Sequence, residues 1–251
     1  MTRVGGLRLA VSWLTVAPVP VRGPVDRDAG HRALHWAPAV GLVLGGLAAA
    51  ALAGFHALGA PPLVTGLLTV AVLAAATRGM HLDGLADTAD GLGCYGDPAR
   101  ALEVMRGGAA GPFAVVTLVL ILGVQASSLA ALAEAGRVAA VVLAVTAGRV
   151  AMLWCCRRGV PPARPDGLGA LVAGTQPAVI PLLGAAGLLA AGLAVVPGRP
   201  AQGAVAVLVA ALAVAWLSRH TARRFGGVTG DVLGAAGELA TTLVLTVCAL
   251  A

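Results

Sequence analysis

Leu34-His-Trp-Ala-Pro-Ala-Val-Gly-Leu-Val-Leu-Gly-Gly-Leu-Ala-Ala-Ala-Ala-Leu-Ala-Gly-Phe55 contains no arginine, lysine or carboxylate. A bilayer core about 30 Å thick takes about 20 apolar residues of helix to cross, and this stretch is long enough. Six further apolar runs follow: Pro62–Thr77, Pro112–Ala133, Val138–Cys156, Ala178–Val196, Ala201–Leu217 and Val232–Leu250. Pro62–Thr77 is short and is expected to tilt little or to be partly re-entrant. Upstream, Leu7–Val21 is apolar but runs into Ala17-Pro18-Val19-Pro20. The prolines stop a helix there, so this piece reads as an interfacial or half-inserted segment. The expected fold is an all-α integral membrane protein of about seven transmembrane helices, six to eight, forming one polytopic domain over residues 1–251.

Composition agrees. Of 251 residues, 59% are hydrophobic and 11% charged, against about 25% charged in an average soluble domain. So few charges cannot clothe a water-soluble surface. Aromatics make up 3% while glycine reaches 35 residues, which favours close helix packing through small side chains. The net charge of +6 rests on 17 arginines and no lysine. These arginines are scattered, without a basic helix interleaved with aromatics, and nucleic acid is excluded as a partner. Cys94, Cys155, Cys156 and Cys248 form no C-x-x-C pair, so free thiols are expected and a zinc site is not.

Arginine placement orients the chain. With the N-terminus inside, Arg3, Arg8, Arg22, Arg27, Arg32, Arg78, Arg100, Arg106, Arg157, Arg158, Arg164, Arg219, Arg223 and Arg224 fall inside. Only Arg137 and Arg199 fall outside, and Arg149 lies within a span. The positive-inside rule then puts every long polar loop on the cytoplasmic face.

One of those loops carries chemistry. Four of the eleven acids lie between Asp83 and Asp97. Asp83, Asp87 and Asp90 stand at i, i+4 and i+7, within roughly 60° of one another on a helix, and the helix is expected to stop by Gly93. Leu82, Leu85, Ala89 and Leu92 take the other face. Gly84 and Gly91 are expected to clear space for something bulky. Three like charges on one helix face repel, which calls for a cation. Oxygen-only ligands suit Mg²⁺, or Mn²⁺, and leave room for two metals of the kind that assist phosphoryl transfer. His81 is tempting as a general base but points about 160° from Asp83 on the wheel.

A second polar stretch, Gly226-Gly-Val-Thr-Gly-Asp-Val-Leu-Gly-Ala-Ala-Gly-Glu238, places Asp231 and Glu238 on one face, with Gly234 and Ala235 allowing a neighbouring helix close. Glu238 and Arg149 lie inside apolar runs, where a charge is costly and functional by default. Arg149 is expected to face a polar cavity or to pair with an acid or a phosphate. Arg100, Glu103 and Arg106 are spaced on a short helix after Pro98, where a surface ion-pair ladder explains them as well as substrate binding does. Arg157, Arg158 and Arg164 are candidates for phosphate binding, though topology alone would put them there, and Arg223 and Arg224 are similar.

His81-Leu-Asp-Gly-Leu-Ala-Asp-Thr-Ala-Asp-Gly91 resembles the signature of the cobalamin synthase family, the adenosylcobinamide-GDP ribazoletransferases. Gly227-Val-Thr-Gly-Asp-Val-Leu-Gly-Ala-Ala-Gly-Glu238 is similar to that family's C-terminal glycine-rich motif. Leu14-Thr-Val-Ala-Pro-Val-Pro20, Pro38-Ala-Val-Gly-Leu-Val-Leu-Gly45 and Leu102-Glu-Val-Met-Arg106 resemble its other segments in order. The chain departs from the pattern at Gly107-Gly-Ala-Ala110, where the family usually has polar and charged residues. The resemblance implies a Mg²⁺-dependent enzyme of the inner membrane, with its active site in cytoplasmic segments 78–111 and 219–238. It implies transfer from adenosylcobinamide-GDP to α-ribazole or its 5′-phosphate, releasing GMP. Asp83, Asp87, Asp90 and Asp231 would be catalytic and metal-holding, with Asp90 suggested as proton acceptor. His81, Gly84, Gly91, Arg106, Arg149, Thr229, Gly230 and Glu238 would contact substrate. Partners are then the corrinoid nucleotide, α-ribazole and the lipid bilayer; self-association is compatible with the sequence and not fixed by it.

Three other readings compete. A transporter would use intramembrane acids, but here the acids gather at span ends rather than at paired mid-membrane breaks. The CDP-alcohol phosphotransferases are similar in acid spacing, yet Ala86-Asp87 replaces their alanine-arginine, and Asp87 and Asp90 are three apart instead of four. A non-catalytic scaffold leaves the acidic face unexplained.

Overall fold

The computed structural model describes residues 4–250, and Arg3 lies outside them. Regular structure among the described residues is helical, apart from two isolated β-bridges. The helices are α1 (Gly6–Leu14), α2 (Arg27–Ala57), α3 (Pro62–Ala76), α4 (Met80–Gly93), α5 (Pro98–Val104), α6 (Pro112–Glu134), α7 (Ala139–Cys155), α8 (Gly167–Val172), α9 (Val179–Gly192), α10 (Pro200–Phe225) and α11 (Gly230–Ala249). Each of the seven apolar runs forms one helix. By length and composition α2, α6, α10 and α11 can each cross a membrane, while α7 and α9 are apolar but shorter. α4 turns 94° from α3, and so lies across the end of the bundle rather than continuing the α3 span.

The helices outrun or fall short of the apolar runs for local reasons. α2 starts at Arg27 instead of Leu34 because the Asp26 side chain caps it, accepting from the Ala29 N–H at 2.8 Å. α10 continues through Arg219, Arg223 and Arg224 to Gly226, whose φ of 78° ends it in the left-handed region. α9 stops at Gly192, where it meets Gly203 of α10 backbone to backbone. Leu7–Val21 becomes α1 followed by extended chain through the prolines. It packs on α2, where a side chain at Gly6 would strike the Arg32 backbone at 2.8 Å.

α7 is the centre of the bundle, packed on α2, α9, α10 and α11. Gly41 and Gly45 of α2 face it; added Cβ atoms would lie 3.0 Å from the Thr146 Cα and 2.9 Å from the Val142 Cα. This small-xxx-small contact is the packing that a chain poor in large side chains requires. All four cysteines are free.

Arginines tie the polar segments together at one end. Arg78 donates to the Ser12 carbonyl at 3.1 Å, Arg164 to that of Leu102 at 2.8 Å and Arg224 to that of Cys94 at 2.7 Å. Arg27 donates to the Ala170 and Ala173 carbonyls, and Pro162 bridges Val228. At the opposite end Arg137 donates to the carbonyls of Cys248 and Leu250, beside Gln202 of α10. The loops rich in arginine therefore share one end, as the charge count implies.

Candidate active site

The site forms where α4 crosses the start of α11. α4 begins at Met80, after Gly79 at φ 66°, and ends at Gly93. The crossing is a backbone contact: a Cβ on Gly84 would sit 2.7 Å from the Asp231 carbonyl oxygen, and one on Gly234 would sit 3.0 Å from that of His81. Gly84 thus clears space for α11 rather than for a ligand. Gly91 likewise accommodates Met105 and Phe225, with a Cβ there falling 2.6 Å from Met105 Cγ. Both depart from the expectation that these glycines open room for a bulky substrate.

Asp83 and Asp87 project from α4 beside Asp231, which stands in the first turn of α11 after the cap Thr229. Thr229 is buried, and its hydroxyl accepts from the Val232 N–H at 3.3 Å, so its role here is to start the helix. Burial, together with the charges of Asp231, Asp83 and Asp90, pushes the Asp87 carboxyl up to about 6, with Arg164 acting in the opposite sense. The Arg164 guanidinium lies 3.8 Å from Asp231, and its buried Nε has no hydrogen-bond partner. Among the described residues, no three His, Cys, Asp or Glu side chains converge into a ready metal cluster. The donor chemistry nevertheless fits a hard divalent cation: carboxylate oxygens from two helices whose charges act on one another.

Asp90 has a different setting from its two neighbours. It is 8% exposed, and its carboxylate accepts from the N–H groups of Gly111 at 2.6 Å and Ala114 at 2.9 Å. It therefore closes the N-terminus of α6, whose first turn starts at Pro112 and has no internal partners for those amides. The three acids share a helix face, but the structure gives Asp83 and Asp87 to the site and Asp90 to the joint between α4 and α6.

The intramembrane charges form a second polar centre. Arg149 is 4% exposed, with Nη2 3.5 Å from His81 Nδ1. Glu238 accepts from Gln125 Nε2 at 2.8 Å, and the same amide nitrogen donates to the Thr242 hydroxyl at 2.9 Å. Arg149, Glu238, Gln125 and Thr241 surround a space of about 20 Å³, the size of one water. Glu238 lies seven residues along α11 from Asp231, about 10 Å deeper at 1.5 Å per residue. His81 reaches this centre through Nδ1, while the same residue also lines, with Asp83, a cavity beside the site.

The arginine ladder is only half formed. Arg100 pairs with Glu103 at 2.6 Å, whereas Arg106 lies beyond α5 and pairs with Asp166 at 2.8 Å. Arg157 is held by the Trp154 carbonyl, the Ser218 hydroxyl and the Trp154 ring, 4.8 Å away. Arg164 is the arginine at the site. In the sequence it is one of several loop arginines, framed by Pro161-Pro-Ala-Arg-Pro165. Gln125, in mid-span, is a further polar residue that the acidic motifs did not indicate.

A helical membrane bundle that sets carboxylates from two glycine-bearing motifs against an arginine, at its arginine-rich end, has the chemistry to meet a charged substrate. The comparisons with known proteins supply the family. The family model described as Cobalamin-5-phosphate synthase matches residues 6–249. The chain is 48% identical over 240 residues to the adenosylcobinamide-GDP ribazoletransferase of a Nocardioides species, covering 95% of each chain. It is 41% identical to the protein of that name from Frankia casuarinae, covering 97% of this chain and 94% of the relative. Against the one from Stutzerimonas stutzeri it is 40% identical, covering 97% of each. The chain belongs to the Cobalamin-5-phosphate synthase family. No solved structure matches it.

Proposed function

We propose that the chain joins adenosylcobinamide-GDP to α-ribazole, or to α-ribazole 5′-phosphate, releasing GMP, in the inner membrane with the site facing the cytoplasm. A ribose hydroxyl of the acceptor attacks the cobinamide-side phosphorus, the diphosphate P–O–P bond breaks, and GMP leaves. The observation that carries the reading is the meeting of both acidic motifs, Asp83 and Asp87 with Asp231, beside Arg164. These three carboxylates would hold Mg²⁺, which when bound supplies charge neutralisation at the diphosphate. Arg164, with Nε unpartnered, grips non-bridging phosphate oxygens. The hydroxyl proton passes to one of the site carboxylates, Asp83, Asp87 or Asp231; Asp90 instead accepts from two amides at the start of α6. Glu238 and Arg149 support the crossing of α4 and α11 from beneath.

The test is turnover by the purified chain in lipid nanodiscs with both substrates, with and without Mg²⁺. GMP and the corrinoid product should form together, and only with the metal. Absence of product under all metal conditions would refute the transferase reading; product formed equally in EDTA would refute the metal.

A further inference from the structure

A cavity of about 330 Å³ opens beside the site, between α1, α2, α8 and the crossing of α4 with α11. Its walls are Ala10, Trp13, Leu14, Leu34, Val172 and Leu233. Its polar groups belong to the segment 78–83 and to the start of α11: Arg78, His81, Asp83 and Asp231. The cavity thus has an apolar body and an edge on two of the proposed catalytic carboxylates.

The volume is at the small end for ligand sites, which run from roughly 300 to 1,000 Å³. It is too small to enclose a corrin macrocycle. Guanine would fit by size, but the polar groups of the lining sit at one edge only, so its ring carbonyl and nitrogens away from that edge would face alkyl walls, which is unfavourable. Of the groups in the proposed reaction, one is flat and almost wholly apolar: the dimethylbenzimidazole of α-ribazole, whose benzo ring carries two methyls and whose polar atom is a single ring-nitrogen acceptor. With that base inside, its ribose emerges at Asp83 and Asp231, where the attacking hydroxyl is needed.

Arg78 adds a second observation. Among the described residues it is the one non-glycine residue with positive φ, at 57°, a conformation glycine adopts more easily. Its exposed guanidinium is tied only to the Ser12 carbonyl and has no carboxylate partner among the described residues. A side chain kept in a strained position on the rim of a cavity next to two acids suits an anionic group on the acceptor.

We propose that this cavity is the acceptor subsite: it takes the benzimidazole base of α-ribazole against Trp13, and Arg78 holds the 5′-phosphate when the acceptor is phosphorylated. The assignment rests on the transferase reading for the identity of the ligand, not for the existence of the cavity.

The experiment uses the full chain in nanodiscs and reads binding apart from turnover. Equilibrium dialysis measures α-ribazole and α-ribazole 5′-phosphate with the donor omitted; steady-state assays then give KM for each substrate. Trp13→Ala should weaken both acceptors about tenfold, in dialysis and in KM, with the donor KM unchanged. Arg78→Gly, which accepts the backbone conformation, should reduce the preference for the phosphorylated over the unphosphorylated acceptor about tenfold. Unchanged acceptor binding in Trp13→Ala, or a change confined to the donor KM, overturns the subsite. An unchanged preference in Arg78→Gly overturns the phosphate contact. If the wild type binds α-ribazole in a Trp13-dependent way yet forms no product, the subsite stands and the transferase reading fails.

Discussion

Gly84→Ala tests whether the α4–α11 crossing sets the site. The added methyl would start 2.7 Å from the Asp231 carbonyl oxygen and 2.9 Å from its Cα, against about 3.4 Å for ordinary contact. Both obstacles are backbone, so no rotamer relieves them, and α11 must retreat from α4 by about 0.7 Å, the difference of those distances. Overpacking of this kind costs about 1–3 kcal/mol. The retreat carries Asp231 away from Asp83 and Asp87, and misplacement by about 1 Å costs about 10²-fold in rate. Gly84→Ala should therefore lose roughly 10- to 100-fold in kcat while still accumulating in the membrane. Initial rates at saturating substrate, with a thermal unfolding curve on the same sample, separate lost positioning from lost fold. Gly123→Ala in α6 is the control: nothing lies within 4 Å of its added methyl, and activity should not change. A Gly84→Ala enzyme with wild-type kcat and an unshifted Tm would show that the crossing does not position the carboxylates.

Asp83→Asn, Asp87→Asn and Asp231→Asn should each nearly abolish transfer and blunt the rise of Tm with added Mg²⁺; a variant that keeps both removes its residue from the ligand set. Asp90→Ala should instead destabilise by about 1–3 kcal/mol, leaving two amides of α6 unsatisfied, with much of kcat kept by the folded fraction; a normal Tm with no activity would assign Asp90 to the chemistry. Asp87 sits near 6 in the folded chain against an ordinary 3.8, so between those values the folded state holds a proton that the unfolded state has released. Its contribution to stability is then present at low pH and lost as pH rises through about 6. In EDTA this should appear as a downward trend in Tm that Asp87→Asn lacks and that saturating Mg²⁺ offsets; identical profiles with and without Asp87 would count against it. Cysteines introduced near Asp97, Asp166 and Arg223 should label from the cytoplasmic face and those near Arg137 and Arg199 from the other, and cytoplasmic labelling at Arg199 would break the topology.

The apolar runs and the i, i+4, i+7 acids were readable because both are periodic features of a single segment. Helix ends were less so: α2 gains a polar first stretch from the Asp26 cap, and α10 carries its arginines into the last turn. Hydropathy stops where charge begins, whereas backbone hydrogen bonding does not. Asp90 could not be told from Asp83 and Asp87, since its distinction depends on amides 21 and 24 residues away. The same holds for Gly84 and Gly91, whose vacated space is filled by Asp231 and by Met105. Arg164 was visible as one of several loop arginines, and only the packing of its proline-framed loop against α11 singled it out.

The contact of Gly84 and Gly234 with opposing backbone means that no side chain spaces the two acidic motifs. The gap between Asp83 and Asp231 is set by the thickness of two bare helices. Exchanges among alanine, valine and leucine elsewhere in the bundle then leave that gap unset by any side chain. A chain with 35 glycines and no lysine keeps the spacing of its two acidic motifs only while those two positions stay without a Cβ.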